Sequence, residues 1–445
     1  MSFDKTRRRV WGWFFFDWAS QPYNTLLITF IFAPYVKELI GDGARAQALW
    51  AAGIAGAGIV IALGAPVLGA LADRSGARMR WIWVFSGMYV VGASGIWWAA
   101  PGAANLTLVL GFFALGMIGM EFATIFTNSM LPDLGDAGKI GRISGAGWAF
   151  GYVGGLVALL IMLLFFAESA STGKTLLGLS PALGLDPAAR EGTRFVGPLT
   201  AIWYAVFMVP FFLWVKESAP QKHGKLSVRL ALNRVAHTLR HLPQTPSLLA
   251  YLASSMFYRD ALNGMYFFGG IYAAGVLGWD VVQVGIFGIL ALVTGAVFAW
   301  AGGHADDRFG PKPVIAAAIL ALLAVAVAIV FVSRARVFWM DLAPGSHLPD
   351  VLFYVCGGVI GAAGGALQSA SRTMMVRQAR QDRMAESFGL YGLAGKATAF
   401  IAPALIGAVT AATGSQQIGV SPLIGLFLLG LVLLVWVKPQ GDHGK

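Results

Sequence analysis

The sequence predicts an all-α integral membrane protein with twelve transmembrane helices in two pseudo-symmetric six-helix bundles. Three observations predict this fold: an apolar composition, a series of hydrophobic runs of membrane-spanning length, and a motif repeated in both halves. Apolar residues make up 57% of the 445 residues, charged residues make up 12%, and the mean hydropathy is +0.70. A soluble domain carries about 25% charged residues, so this chain has too few to cover a water-facing surface.

The hydrophobic runs define predicted spans one to twelve. They lie near residues 10–36, 49–71, 80–100, 106–130, 143–166, 198–215, 248–276, 282–302, 313–333, 350–376, 385–413 and 421–437. Each is close to the roughly 20 residues that cross a bilayer. The first run contains Asp17, is too long for a signal peptide and has no Ala-x-Ala site after it. We therefore predict a retained span there.

Lys and Arg residues are unequally divided between the two sets of loops. Of the 32, the N-terminus, the loops after even-numbered spans and the C-terminal tail hold 22, the opposite loops hold 7, and three lie within spans. Cytoplasmic loops carry the excess of positive charge. We therefore predict a multi-pass protein of the bacterial inner membrane with both termini in the cytoplasm. The same rule explains the net charge of +11 without a nucleic-acid partner.

The longest cytoplasmic connection divides the spans six and six. We predict an N-terminal bundle over 1–215, a linker over 216–247, a C-terminal bundle over 248–437 and a tail over 438–445. In the linker, the stretch SVRLALNRVAHTLRHL places Leu and Arg residues at helical spacing. It predicts an amphipathic helix that either lies on the cytoplasmic membrane surface or is a solvated linker helix.

A ten-residue motif follows span two and again follows span eight. The first copy is GALADRSGAR and the second is GHADDRFGPK. The matching residues are Gly69, Asp73, Arg74, Gly76 and Arg78 in the first copy and Gly303, Asp307, Arg308 and Gly310 in the second. Two copies at equivalent span ends indicate repeated six-helix halves, as in many secondary transporters.

The first copy resembles the signature loop of the major facilitator superfamily, which implies the major facilitator fold. In that pattern the first Gly lets two helices approach, and the Asp caps a neighbouring helix. The resemblance therefore implies that the matching residues of the two copies form a conformational latch. The resemblance would place Asp73 near Ser387 at the start of span eleven, and Asp307 near Ser144 at the start of span five. This sequence departs from the pattern at Ala77, where a cation is usual.

Five further blocks are similar to the vacuole-effluxer-like family of major facilitators. They are FDWASQPYNTLLITFIFAPY in span one, NSMLPDL with GRISGAGWAFGYVGG at 128–155, FYRDALNG at 257–264, QSASRTMM, and ESFGLYGLAGKATAFIAPALIG, which ends at 407. This resemblance implies efflux of a small solute such as a neutral amino acid.

Six charged residues lie inside predicted spans and more than two residues from either end: Asp17, Glu121, Arg259, Asp260, Arg372 and Lys396. Each costs about 2.5–3.5 kcal/mol near the centre of a membrane helix, so we interpret them as a pathway for substrate or protons. Polar residues accompany them on the same helix faces, namely Gln21 and Asn24, Thr124 and Asn128, Asn263, and Gln368. The superfamily resemblance implies that these four spans line a central cavity.

Alternative roles remain open for several of these residues. Glu121 is the leading proton or substrate residue because its surroundings are otherwise apolar. Asp17 could be wetted from the cytoplasm, Arg372 could snorkel to the interface, and Lys396 could bind an anionic group or a carboxylate. The sequence further predicts cavity walls at Tyr23, Trp148, Tyr152, Tyr266 and Tyr391, and an interfacial belt of Trp11, Trp13, Trp18, Trp81 and Trp83.

Together these features predict a secondary active transporter that moves a small polar or zwitterionic solute, an amino acid or small peptide, by alternating access. We expect efflux, proton coupling and a monomer in the lipid bilayer. The alternatives are a transporter of a larger amphiphile (a muropeptide, siderophore or drug) and a non-transporting receptor or assembly factor on the same fold. With Cys356 the single cysteine and no zinc motif around His237 and His241, we expect no metal, no cofactor and no enzyme activity.

Overall fold

The computed structural model describes residues 2–41, 43–102, 105–217, 227–279 and 281–442, and these are mostly helical. The helices are α1 (Ser2–Pro22), α2 (Phe32–Ile40), α3 (Gly43–Ser75), α4 (Arg78–Gly95), α5 (Leu106–Ser129), α6 (Ile140–Ile161), α7 (Glu191–Arg194), α8 (Val196–Phe207), α9 (Val209–Trp214), α10 (Val228–His241), α11 (Pro246–Val276), α12 (Val281–Phe309), α13 (Pro311–Val330), α14 (Leu348–Gln378), α15 (Met384–Ala397), α16 (Ile401–Thr413), α17 (Gln416–Gly419) and α18 (Pro422–Leu434). A short antiparallel hairpin, β1 (Arg336–Val337) and β2 (Met340–Asp341), precedes α14.

Every predicted span falls on one helix or on two consecutive helices. Within the described part of the chain, nine helical stretches are long and apolar enough to cross a membrane. Predicted spans one, three and seven are not among them, and they coincide with α1–α2, α4 and α11. Their charges lower the hydropathy: Asp17 in α1, Arg78 and Arg80 in α4, and Arg259 with Asp260 in α11. Twelve spans in two halves therefore stays a prediction.

Predicted spans one and eleven are broken helices. In span one, α1 ends at Pro22, a π-helical turn covers Tyr23–Phe30, and α2 follows. In span eleven, α15 ends at Ala397 and α16 begins at Ile401. A break interrupts the ladder of backbone hydrogen bonds, and in a membrane it is tolerated where protein or water meets the freed groups.

The first of two compact units comprises residues 1–65, 71–134 and 150–226. Aromatic side chains fill its core. Trp13 is fully buried and donates through Nε1 to the Thr127 carbonyl at 2.9 Å, and Tyr23, also fully buried, donates to the Phe113 carbonyl at 2.5 Å. The predictions of Trp13 as an interfacial residue and Tyr23 as a cavity wall are therefore wrong, because both side chains pack between helices of the core.

The second unit comprises residues 66–70, 135–149 and 227–445, so it includes the first turns of α6 and a short part of α3. Small residues bring its helices together. A Cβ on Gly361 or Gly365 of α14 would overlap the backbone of Ala291 or Gly295 of α12. Close backbone approach at small residues is typical of helix packing in membranes, and it sets the positions of the side chains of α14.

Candidate functional site

The polar stripes of α1 and α5 lie on half-exposed faces of the first unit. The half-buried residues are Asp17 and Gln21 on α1, Asn24 in the π-helical turn that follows α1, and Glu121, Thr124 and Asn128 on α5. Their neighbours Phe16, Ala19, Phe122 and Ala123 are buried. Each stripe therefore presents its carboxylate and amides on the accessible side of a helix whose other side is packed.

Glycines of α6 approach α1 beside this stripe. A Cβ on Gly151 would lie 3.2 Å from the Asp17 Cβ, and a Cβ on Gly155 would lie 2.9 Å from the Gln21 Cγ. The glycine-rich block around 151–155 thus holds α6 against the polar face of α1. The sequence analysis did not identify these glycines as site residues, although their spacing matches a helix face.

Three charged residues surround the break between α15 and α16 in the second unit. Asp260 is 3% exposed, and its Oδ2 accepts a hydrogen bond from the Ala402 backbone N–H at 2.9 Å. Arg259 donates through Nη1 to the Tyr391 carbonyl at 2.9 Å, with its guanidinium 4.1 Å from the centre of the Tyr391 ring. Lys396 is half-buried in the last turn of α15.

The positions of these charges match the two helix ends. A helix N-terminus carries a partial positive charge and a C-terminus a partial negative charge. Asp260 lies at the N-terminus of α16, and Lys396 lies at the C-terminus of α15. Two cations, one carboxylate and the freed backbone groups of a helix break together offer partners for both ends of a zwitterion.

The predicted polar residues on α11 and α14 are Asn263 and Gln368. Asn263 is exposed on α11, and Gln368 is half-buried on α14, where its Nε2 donates to the Gly364 carbonyl at 3.3 Å. Of the predicted cavity walls, Tyr152 is 6% exposed and Tyr266 is 38% exposed.

Arg372 binds the first turns of α6. It is 3% exposed, its Nε donates to Ser144 Oγ at 3.0 Å, and its Nη2 donates to the Ser144 carbonyl at 2.7 Å. The guanidinium also lies 5.5 Å from the centre of the Trp148 ring. Snorkelling, the alternative left open for Arg372, is contradicted by this burial, because the guanidinium satisfies its donors inside the protein.

The second copy of the repeated motif contacts the same turns of α6. Asp307 Oδ1 accepts from the Arg142 backbone N–H at 3.3 Å, and Oδ2 lies 2.6 Å from Arg142 Nε. A Cβ on Gly303 would lie 2.5 Å from the Gly141 carbonyl oxygen. Gly310, the eighth residue of the motif, has φ +86°, a positive value that favours glycine. Arg308 lies over the ring of the adjacent Phe309.

The first copy also has a close helix approach at its first glycine and a positive φ at a later one. A Cβ on Gly69 would overlap the Ala385 carbonyl at the start of α15, and Gly76 has φ +60°. Arg78 donates to the Ser129 carbonyl at 2.8 Å and to Asp133 at 3.3 Å. The roles of Asp73 and Arg74 stay predictions, as does the function of the latch as a whole.

Two buried carboxylates beside the motif positions were missed by the sequence analysis. Glu386, 1% exposed, accepts from Thr238 Oγ1 at 2.5 Å and lies 2.8 Å from Arg234 Nε, so α10 docks on α15. Asp306 is fully buried, 3.8 Å from an Arg377 nitrogen. On α10, Leu232 and two other leucines are exposed, and its place on a membrane surface stays a prediction.

A family model described as vacuole effluxer Atg22-like matches residues 48–442, which is most of the chain. The chain belongs to the vacuole effluxer Atg22-like family. The MFS-type transporter YxiO of Bacillus subtilis is 24% identical over 433 residues, covering 96% of this chain and 94% of YxiO. Autophagy-related protein 22 of Cryptococcus neoformans is 24% identical over 302 residues, covering 66% of this chain and 48% of the fungal protein. The Atg22-like chain thus spans about half the length of that relative.

Solved structures show the same fold. The human organic anion transporter MFSD10 superposes with a TM-score of 0.68 at 17% identity, over 96% of this chain and 99% of that one. At this identity the likeness shows the fold alone. The Atg22-like chain is therefore a multi-pass membrane transporter of the major facilitator superfamily, and its relatives are transporters rather than enzymes.

The role of the Asp260 carboxylate of this Atg22-like protein as a helix cap can be tested by its effect on stability. Asp260→Ala removes the acceptor for the Ala402 N–H, and we expect a loss of about 1–2 kcal/mol of stability. Asp260→Asn retains an oxygen acceptor and is expected to recover most of that loss. Thermal unfolding of both variants in detergent checks the cap. If Asp260→Asn is as unstable as Asp260→Ala, the cap does not explain the burial of Asp260.

Proposed function

We propose that this Atg22-like protein is a proton-coupled efflux transporter of a small zwitterionic solute, an amino acid or small peptide, which works by alternating access. The observation that supports this most is the cluster of Arg259, Asp260 and Lys396 around the break between α15 and α16. Broken helices with charged groups at their ends form substrate sites in many secondary transporters. In this proposal Lys396 and Arg259 bind the substrate carboxylate, and backbone carbonyls at the end of α15 receive the ammonium group.

Glu121 is the proposed proton carrier. It shares its half-exposed face with Thr124 and Asn128, while the rest of this part of α5 is packed. A partly exposed carboxylate can exchange protons with water. Loss of that water favours its protonated form. Asp17 on α1 is the second candidate, because it lies in the other polar stripe of the same unit.

Alternating access requires helices that separate and rejoin on one side of the membrane. The contacts of α6 with Asp307, Gly303 and Arg372 are the proposed closing contacts. The excess of Lys and Arg supports placing them on the cytoplasmic side of the bacterial inner membrane, with both termini. A monomer contains all the residues that this cycle uses.

The test is transport by the purified protein in proteoliposomes. A panel of neutral amino acids, dipeptides, muropeptides, siderophores and organic cations is screened by counterflow, and a pH-sensitive dye reports proton movement. We expect Glu121→Gln to keep counterflow exchange and to lose at least about tenfold in proton-driven accumulation. Asp136→Asn is the matched control, because its carboxylate is exposed and lies between predicted spans.

Two results would contradict the proposal. Unchanged proton-driven accumulation in Glu121→Gln removes Glu121 from the coupling mechanism. Exchange of only large amphiphiles assigns the protein to the alternative substrate class. For the solute that exchanges, Lys396→Ala is expected to raise KM at least about tenfold by loss of a charge-assisted contact, with Lys174→Ala as the control outside the spans.

A further inference from the structure

A groove with cationic and aromatic walls lies on the first unit, between the N-terminal part of α1 and α9. Arg7, Arg8, Trp11 and Phe15 of α1 and Trp214 of α9 line it, and its volume is about 590 Å³. The four residues of α1 follow one another at helical spacing, so they form a single stripe along the helix. The groove therefore has a charged end at Arg7 and an apolar end at Phe15.

Close packing of α1 on α9 makes the floor of this groove. A Cβ on Gly12 would lie 3.1 Å from both the Pro210 carbonyl oxygen and the Trp214 Cβ. The Phe15 and Trp214 rings meet edge to face with centroids 6.4 Å apart. The aromatic walls are thus held from both helices, while Trp11 and Trp214 remain 43% and 38% exposed.

Among the described residues that line the groove, the charged ones are Arg7 and Arg8, and both are positive. Asp133 pairs with Arg9 at 3.9 Å and with Arg78 at 3.3 Å, and it does not line the groove. Tryptophans near clustered arginines are typical of the cytoplasmic membrane interface, where anionic headgroups attract cations. A ligand that matches the groove has a negatively charged group at one end and an apolar chain at the other.

We propose that this groove binds one anionic phospholipid of the cytoplasmic leaflet. The phosphate lies between Arg7 and Arg8, and one acyl chain lies along Trp11, Phe15 and Trp214. Arginine suits the phosphate because its guanidinium donates two parallel hydrogen bonds. The bound lipid covers the contact between α1 and α9, and so joins the first and sixth predicted spans on their membrane side.

The experiment measures lipid binding to the delipidated full-length protein by native mass spectrometry. Phosphatidylglycerol and phosphatidylcholine of equal chain length are titrated separately, and glycerol phosphate is titrated as the headgroup alone. We expect one phosphatidylglycerol to bind at least about tenfold more tightly than phosphatidylcholine. The double variant Arg7→Gln/Arg8→Gln should weaken the binding of phosphatidylglycerol about thirtyfold, because each cation at a membrane surface contributes about fivefold.

The matched control is Arg80→Gln/Lys139→Gln, which removes the same charge from exposed positions outside the groove. It should bind phosphatidylglycerol like the wild type. Trp214→Ala should weaken the binding of both lipids to a similar degree, because it shortens the apolar wall. Equal binding of the two lipids to the wild type, equal effects of the two double variants, or glycerol phosphate binding as tight as the lipid would each overturn the proposal.

Discussion

Replacing Glu168 by alanine is expected to lower the free energy of unfolding by about 3 kcal/mol. The Glu168 side chain is fully buried in the segment between α6 and α7. It accepts hydrogen bonds from the Thr193 N–H at 3.1 Å, from Thr193 Oγ1 at 3.0 Å and from Arg190 at 3.1 Å. Alanine would leave all three donors without this acceptor, and buried donors without acceptors are costly.

The electrostatics of this cluster support the same result. Burial raises the pKa of the Glu168 carboxyl, while its hydrogen bonds and the Arg190 guanidinium act in the opposite direction. Arg190 is 13% exposed and has the left-handed φ of +53°. Its guanidinium is bound by the Glu168 carboxylate at 3.1 Å, by the Glu168 carbonyl oxygen at 2.6 Å and by the Glu38 carboxylate at 2.8 Å. The charge of Arg190 would remain in a largely buried site after Glu168 is removed.

Glu38→Ala is the control, since Glu38 binds the same arginine at 2.8 Å from a position that is 43% exposed. An exposed ion pair is worth about 0–1 kcal/mol, so this variant should be nearly as stable as the wild type. Thermal unfolding in detergent compares the two variants. A difference of less than about 1 kcal/mol between them would show that Glu168 does not organise the cluster.

The Glu168 cluster also shows where prediction from sequence stops. Glu168, Arg190 and Thr193 lie in a connecting segment with no periodic pattern, and their contacts depend on how that segment folds back. Nothing in the local sequence separates Glu168 from the exposed Glu38. The same limit applies to Asp306 and Asp307, adjacent acidic residues of which one is buried and the other meets α6.

The features that the sequence could predict are those with local signals. Apolar runs predicted where the helices lie, and the resemblance to the signature loop implied the close helix approach found at Gly69 and Gly303. The helix break at Thr398–Phe400 was not predicted, although Pro403 lacks the N–H that would bond to the Ala399 carbonyl and is a local signal for a break there. Its stability comes from Asp260 on another helix, a contact that depends on tertiary packing. For the candidate site, helical spacing found the polar faces but not their partners.

Replacing Gly303 by alanine is expected to reduce transport at least about tenfold. The added methyl group would lie 2.5 Å from the Gly141 carbonyl oxygen and 2.9 Å from the Gly145 Cα. Neither atom belongs to a flexible side chain, so α12 and the first turns of α6 must move apart. Overpacking of this kind costs about 1–3 kcal/mol. It destabilises the conformation in which α12 and α6 are in contact, and it does not affect a conformation in which these helices are separated.

Gly285→Ala on the same helix is the matched control, because a Cβ there meets nothing within 4 Å. Alanine also favours a helix over glycine by up to about 1 kcal/mol, so the control should be as stable as the wild type or slightly more stable. The repeat supplies a second pair on α3, in which Gly69→Ala should lose transport because of the Ala385 carbonyl and Gly58→Ala should not.

Opening of the latch can be measured apart from transport because Cys356 is the single cysteine of the chain. In a Cys356→Ala background, Ile140→Cys places a thiol at the first residue of α6, where the native side chain is 4% exposed. We expect a closed latch to protect this thiol from maleimide, because the next residue, Gly141, packs against Gly303. A shift of 1–3 kcal/mol towards separation should speed labelling by about 5- to 150-fold in Gly303→Ala but not in Gly285→Ala. Slow labelling together with lost transport would place the defect outside the latch. Fast labelling with intact transport would show that the contact between Gly303 and Gly141 does not limit the transport cycle.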